Sequence, residues 1–401
     1  MKKFKIGVLR EEKNPPDKRV PLTPLICSEL MRKYPNVEVV VQPSDIRCYS
    51  DKEYTSFGVT LEEDLSECDV LMGVKEVPID KLIPHKKYFF FSHTIKKQAH
   101  NQKLMKAFIE KKIEMIDYET LTDKMHNRII GFGRYAGVVG AYNGILGYGL
   151  KYDLFRIKPA HLCRDKAEME DELKRVKLPN IKIVITGGGR VANGAIETLS
   201  ALRIRKVTSE EFLMASYREP VYCQLNPRDY VERTNDHNFD LNDFFTHPEH
   251  FTSKFVPFTK HADLYLSTHY WDPRSPKMFT QKDLKSPDFH ISVIADVTCD
   301  MNGSVPTTIR SSTIDHPFYG YNIVTGKEDL PFNKDTICVM AVDNLPCELP
   351  RDASDDFGKD LTERVLPHLF ENDADKVIKR ATICKDGKLT TYYEYLGEYA
   401  Y

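Results

Sequence analysis

The sequence predicts an α/β protein made of two Rossmann-like domains whose parallel sheets flank a cleft. Three observations predict it. The chain has 401 residues, more than one hydrophobic core comfortably organises. Short apolar runs alternate with charged amphipathic segments through residues 4–121, the pattern of parallel strands joined by crossovers. A glycine-rich junction, IKIVITGGGRVANGAI at 181–196, joins an apolar strand to a helix.

Taken in order, FKIGVLR, VEVVVQPS, DVLMGVK, YFFFSH and EMIDYETL read as strands, while PLICSELMRKY and KLMKAFIEKKI read as helices. FGRYAGVVGAYNGILGYGLKYDLF, residues 132–155, carries glycine and alanine between apolar residues at helical spacing, which predicts a long buried helix near 134–155 that closely approaches its neighbours. IKIVIT then runs into Gly187, Gly188 and Gly189 and a helix containing Gly194. Such glycines let backbone N–H groups approach a pyrophosphate at the positive end of a helix, although the spacing to Gly194 is two residues wider than the usual G-x-G-x-x-G. HADLYLSTHYW, HISVIADVTCD and DTICVMAVDNLP read as three further strands. The helical segment after VDNLP carries the chain back to the first domain. The expected division is residues 1–133 with 344–401 as a discontinuous substrate domain, and 134–343 as the dinucleotide-binding domain.

The strand after the glycine junction should end in an acid for the adenosine ribose, or in basic residues for a 2′-phosphate. The segment expected to do this is IRKVTSEE, where Thr208 and Ser209 replace the acid, Glu210 and Glu211 follow, and Arg203, Arg205 and Lys206 precede. The expected coenzyme is NAD or NADP: the basic cluster tilts slightly to NADP, while Glu210 or Glu211 could still serve the ribose of NAD.

Charge and composition narrow the function. Lys and Arg total 57 against 59 Asp and Glu, a net charge of -2, which offers no electrostatic case for nucleic acid or an anionic membrane. No apolar window reaches membrane-spanning length, and the N-terminus lacks signal-peptide form, so a cytoplasmic protein acting on small molecules is expected. Nine scattered cysteines contain no CxxC pair, which suggests neither a disulfide framework nor zinc. His247 and His250 in THPEH lack a second ligand pair at suitable spacing, so no metal is expected. Lys75 and His93, eighteen residues apart, end two short apolar runs, where adjacent parallel strands meet a cleft edge.

With these motifs in place the chain resembles the alanine dehydrogenase and saccharopine dehydrogenase superfamily, which includes the transhydrogenase alpha subunit. LREEKNPPDKRVPLTP is similar to its N-terminal signature; GVK, FFSHTIK, IDYE, TTI-x-x-x-TIDHPF, VDNLP-x-x-LP and GKLTTYYEY resemble the lysine-ketoglutarate reductase group. FG-x-YAG, GR-x-x-x-GAI and LPR-x-AS are shared with fungal L-lysine-forming saccharopine dehydrogenases. The resemblance implies a pyridine-nucleotide-dependent interconversion of saccharopine with L-lysine and 2-oxoglutarate. It implies Lys75 and His93 as the catalytic pair, with Asp300 of D-V-x-x-D a third catalytic group. Arg19 and Arg128 would hold substrate carboxylates, beside Glu76, Glu119 and Phe132. The coenzyme would meet Gly187, Gly188, Gly189, Arg190, Val191, Gly194, Asp296 and Asp343. The sequence departs from the group at Arg134, where glutamine is usual, and at Thr208. Alanine dehydrogenase is the alternative; its Q-G-G after D-V-x-x-D is replaced by MNGSVPTT.

In the chemistry so implied, Lys75 takes the amine proton during hydride transfer and His93 serves hydration and collapse of the imine, with the two roles open to exchange.

Overall fold

The computed structural model describes residues 3–401. The chain forms two compact units, one comprising the chain up to Phe132 with Pro350–Tyr401, the other Gly133–Leu349. Residues 344–349, grouped with the first domain on sequence grounds, lie in the second unit. There Glu348 is buried and accepts a hydrogen bond from Asn143 Nδ2 at 2.9 Å, which fastens the segment to its own unit.

The first unit is a sheet built from β1 (Phe4–Val8), β2 (Val37–Val41), β3 (Thr60–Leu61), β4 (Val70–Met72), β5 (Lys87–Phe90) and β6 (Glu114–Asp117). Its helices include α1 (Pro24–Lys33), α2 (Asp51–Ser56) and α3 (Gln102–Glu110). α1 begins where Thr23 caps the N–H of Ile26 and Pro24 takes the first helical position, and it ends in Arg32 and Lys33, each suited to its end of the dipole. β4 and β5 are neighbouring parallel strands with Met72 opposite Phe89, both apolar and fully buried. Their ladder continues past the strand ends: Gly73 donates its N–H to Phe89 O and Phe91 to Val74 O, each at 3.0 Å. Lys75 and His93 therefore leave the same edge of the sheet, at the carboxyl ends of adjacent strands. The connection between them holds only the single 3₁₀ turn Ile79–Lys81.

The second unit opens with α4 (Gly133–Lys151) and α5 (Lys166–Leu173). β7 (Lys182–Thr186), α6 (Arg190–Ala201), β8 (Arg205–Val207), α7 (Ser209–Met214), β9 (Val221–Leu225) and α8 (Pro227–Tyr230) follow. A two-stranded ribbon, β10 (Val231–Arg233) and β11 (Phe251–Ser253), precedes β12 (Leu264–Ser267), β13 (Val293–Asp296), β14 (Phe318–Asn322), β15 (Glu328–Asp329) and β16 (Thr336–Met340). Its eight-stranded sheet has the order β15-β14-β16-β13-β12-β7-β9-β8, parallel except where β14 and β15 run antiparallel. Strand order reverses around β7, so the glycine loop after it lies at the topological switch point, where doubly wound sheets bind ligands.

The chain returns to the first unit and adds β17 (Thr382–Lys385) and β18 (Lys388–Leu389), giving the order β18-β17-β6-β5-β4-β1-β2-β3. Only the two returning strands are antiparallel in that sheet. Both sheets are thus parallel-dominated and flanked by helices, as the alternation predicts.

The helix expected at 134–155 is α4, buried along most of its length. It crosses α6 through reciprocal glycines. A Cβ on Gly137 would lie 1.8 Å from Val191 O, and one on Gly194 would lie 1.9 Å from Arg134 O. Backbone meets backbone there, and no larger residue fits without parting the helices.

Candidate active site

In the first unit the structure gathers Lys75, Glu76, His93 and Glu119. Three loops supply them, each at the carboxyl end of a parallel strand. His93 has a left-handed backbone, φ +53°, uncommon for a residue with a Cβ. One buried carboxylate holds this turn. Asp117, at the end of β6, accepts the N–H of Ser92 at 3.0 Å and its hydroxyl at 2.5 Å on Oδ2, while Oδ1 accepts the N–H of Glu119 at 2.7 Å. The same residue thus positions the histidine and its acidic partner.

His93 sits between two carboxylates, with Nδ1 3.5 Å from Glu119 Oε2 and Nε2 3.9 Å from Glu76 Oε1. Its ring stacks on Phe91, centroids 6.3 Å apart. Glu119 also pairs with Lys96 at 3.0 Å. Burial alone would raise its pKa, but the bond to His93 and the charges of Lys96 and Arg128 prevail and hold it near 2. Glu76 pairs with Lys13 at 2.8 Å, and it too lies below the ordinary carboxylate range: burial opposes this, and the Lys13 bond outweighs it.

Lys75 has a lowered pKa. Burial is the largest cause, Arg19 and Lys13 add repulsion, and the charges of Asp17 and Glu76 only partly oppose them. An amine so placed can exchange a proton nearer neutrality than an exposed lysine. Its backbone is fixed by Glu11, whose oxygens accept the N–H groups of Val74 at 2.6 Å and Lys75 at 2.9 Å. Burial raises the Glu11 carboxyl to about 8, and the charge of Asp17 adds to the rise.

Arg19 is almost wholly buried. Its Nε and Nη2 grip Asp17 at 3.0 and 2.5 Å, and its guanidinium lies 4.2 Å from the Phe132 ring centroid. Phe132 in turn stacks on Phe357, with centroids 4.4 Å apart and rings 8° from parallel. The fork expected to hold a substrate carboxylate is thus engaged by Asp17. Arg128 is exposed, donates Nε to Ile130 O at 3.0 Å, and lies over Phe91 at 5.5 Å. Glu11, Asp17, Lys13, Lys96 and Asp117 are absent from the sequence-based site. Asp117 lies inside the IDYE motif, and Asp17 two residues before Arg19 was the available signal for that pair.

In the second unit, Gly187 has φ +115°, a conformation that glycine adopts without strain. Gly188 is exposed, and Gly189 caps α6 with no side-chain hydrogen bond. The first-turn N–H groups of a twelve-residue helix thereby face an exposed glycine loop, which fits the pyrophosphate of a dinucleotide.

Several residues expected at the site have packing or hydrogen-bonding roles of their own. Gly194 is a helix-crossing residue, its Cβ space filled by the Arg134 carbonyl, and Val191 meets Gly133 and Gly137 in the same crossing. Arg190 is half-buried in the first turn of α6. Asp296 is fully buried. Its Oδ1 accepts the Thr298 hydroxyl and Oδ2 the Thr308 hydroxyl, both at 2.6 Å, so it anchors the loop beyond β13. Asp300 and Asp343 are exposed beyond β13 and β16. The segment read as the strand beside the glycine junction is β8 at the sheet edge; the true neighbour of β7 is β9. Thr208 caps α7 and forms a capping box with Glu211, which accounts for both residues without a nucleotide.

The alanine dehydrogenase/PNT N-terminal domain matches residues 7–139 and the corresponding C-terminal domain residues 166–392. Alpha-aminoadipic semialdehyde synthase of Arabidopsis thaliana is 30% identical over 98% of this chain and 41% of its own length; the chain thus spans less than half of that relative. Saccharopine dehydrogenase [NAD(+), L-lysine-forming] of Yarrowia lipolytica is 26% identical, covering 90% of this chain and 91% of its own. A solved L-alanine dehydrogenase superposes with a TM-score of 0.66 at 16% identity, covering 99% of this chain and all of its own, a likeness of fold. No helix among the described residues is long and apolar enough to cross a membrane.

Proposed function

The chain belongs to the alanine dehydrogenase/PNT family, and from that premise we propose that it is a pyridine-nucleotide-dependent oxidoreductase acting on a CH–NH bond, interconverting saccharopine with L-lysine and 2-oxoglutarate. The observation that carries this reading is the tetrad of Lys75, Glu76, His93 and Glu119 on neighbouring strand ends, in a chain whose relatives include an L-lysine-forming saccharopine dehydrogenase.

Saccharopine is a secondary amine linking the lysine side-chain nitrogen to the α-carbon of a glutarate unit. Its oxidation removes a hydride from that carbon and a proton from nitrogen; water then adds to the imine, and the adduct splits to amine and ketone. The nicotinamide, when bound, accepts the hydride. Lys75 in its neutral form takes the amine proton, which its depressed pKa permits. His93 moves protons during water addition and collapse, its ring oriented by Glu119 and Glu76. Exposed Arg128 is the guanidinium we assign to a substrate carboxylate, while Arg19, gripped by Asp17, repels the proton on Lys75 and supports Phe132. The glycine loop Gly187–Gly189 holds the dinucleotide, for which we favour NADP(H). Asp300 and Asp343 are assigned to the loops bordering it. We place the protein in the cytoplasm, a reducing setting suited to cysteines that lie scattered without a CxxC pair.

The test follows nicotinamide absorbance with saccharopine and NAD or NADP, and with L-lysine plus 2-oxoglutarate and either reduced coenzyme. Alanine, and pyruvate with ammonium, serve as comparison substrates. Turnover of saccharopine that falls about 10²–10⁴-fold in Lys75→Met is expected; turnover of alanine alone would overturn the substrate assignment.

A further inference from the structure

The strand beside the glycine loop ends in QLNPRDY, residues 224–230, and not in an acid. Its contacts with the loop are direct. Gly187 donates its N–H to Leu225 O at 2.8 Å, Gln224 Nε2 donates to Gly187 O at 3.1 Å, and a Cβ on Gly188 would lie 2.6 Å from Asn226 Oδ1. In a doubly wound sheet the adenosine ribose lies over the end of this strand, where a carboxylate accepts the 2′-hydroxyl of NAD. The acid of this turn, Asp229, is engaged in the capping box of α8, where it accepts the N–H of Asn226 at 2.8 Å.

Two cations occupy the same edge. Arg228 is exposed in α8, three residues beyond β9. Lys206, on neighbouring β8, donates Nζ to Gln224 Oε1 at 2.8 Å, and Gln224 is itself bonded to the glycine loop. Arg205, one residue earlier and on the opposite face of the strand, is instead paired with Glu219 at 3.3 Å and lies over Tyr217.

We propose that Arg228 and Lys206 form a 2′-phosphate site, so that this chain selects a 2′-phosphorylated adenine dinucleotide. A phosphate dianion suits a guanidinium fork beside an ammonium, and residues 224–228 at the strand end hold no acid that would repel it. This rests on the reading that the glycine loop binds the dinucleotide pyrophosphate; it does not depend on which amino acid is oxidised.

Calorimetry with adenosine 2′,5′-bisphosphate and 5′-AMP, which differ only in the 2′-phosphate, tests it on the full chain. The bisphosphate is expected to bind about tenfold or more tightly than AMP, the range of one or two charge-assisted hydrogen bonds. Arg228→Ala and Lys206→Ala should each shrink that ratio and leave AMP affinity unchanged, the unchanged affinity also showing that the variants fold; Arg205→Ala should leave the ratio intact. Equal binding of the two nucleotides, or a ratio indifferent to Arg228 and Lys206, would overturn the proposal. Binding of neither would overturn it together with the coenzyme assignment. Selective bisphosphate binding by a protein that does not turn over saccharopine would uphold it and sink only the substrate reading.

Discussion

Glu11 Oε2 accepts the backbone N–H of Lys75 at 2.9 Å while its Oε1 accepts that of Val74 at 2.6 Å, so an acid from the loop after β1 fixes where the amine leaves β4. Replacing it leaves two backbone donors without their acceptor in a buried place, at roughly 1–3 kcal/mol each. Glu11→Ala is therefore expected to lower thermal stability and to reduce kcat for saccharopine more than it changes KM. An unchanged kcat in a folded Glu11→Ala protein would show that Lys75 needs no such anchor.

The raised pKa of Glu11 also sets a sign. A carboxyl lifted from 4.5 to about 8 on folding binds its proton more tightly in the native state, so its contribution is full below about pH 4.5 and is lost as pH rises through 8. Glu348, lifted to about 8 by burial, acts in the same sense. Urea unfolding of Glu11→Gln across pH 5–8 should therefore show a shallower decline in stability than the parent. A steeper decline would contradict the assigned direction.

Glu119 has the opposite sign. Held near 2 against an ordinary 4.5, it stabilises the native state above about pH 4.5 and ceases to as pH falls through 2. Glu119→Gln should lose on the order of 1–3 kcal/mol at pH 7, the scale of a charge-assisted hydrogen bond in a half-buried site, and should lose progressively less than the parent on acidification. Denaturant titrations at pH 7 and pH 3 check this; an equal deficit at both would sink it.

At the crossing of α4 and α6, a Cβ at Gly137 or Gly194 would meet a carbonyl oxygen at under 2 Å. Backbone cannot yield as a side-chain tip does. Gly137→Ala and Gly194→Ala are each expected to cost about 3 kcal/mol, at the upper end of overpacking effects. Gly189→Ala, with open space around its Cβ position, should cost far less. A melting series over the three variants decides whether Gly194 is a packing residue.

These contrasts show what the sequence makes legible. Lys75 and His93 stand out because ionisable groups end strands that are otherwise uniformly apolar, and the glycine loop because a strand precedes it and a helix follows. Glu11 and Asp17 do not, because EEKNPPDK has the composition of a solvated turn and nothing local says that it folds back under a strand end. The strand beside the glycine loop was hidden by the order of elements. β8 comes first in sequence but pairs at the far edge, and only the parallel pairing of β7 with β9 shows that QLNPRDY, with its capping-box look, borders that loop. Asp296 resembles a ligand-facing acid in sequence, but its threonine partner Thr308 lies twelve residues away, beyond any local pattern.

Lys13 offers the sharpest test of the role proposed for Lys75. In the proposed saccharopine oxidation Lys75 acts in its neutral form, so kcat/KM is expected to fall as pH drops through its pKa. Lys13 lowers that pKa by repulsion, and it also neutralises Glu76 through their 2.8 Å ion pair. Removing it withdraws a positive charge and exposes a negative one, and both changes favour protonated Lys75. In Lys13→Met the acidic limb of the kcat/KM profile is therefore expected to move to higher pH, with activity recovered on the alkaline side. Lys75→Met should instead lose about 10²–10⁴-fold in rate, as for other general acid–base groups, with no recovery at any pH. A limb that stays in place in Lys13→Met would mean that the titrating group is not Lys75, and His93, between Glu76 and Glu119, would take the amine proton in its stead.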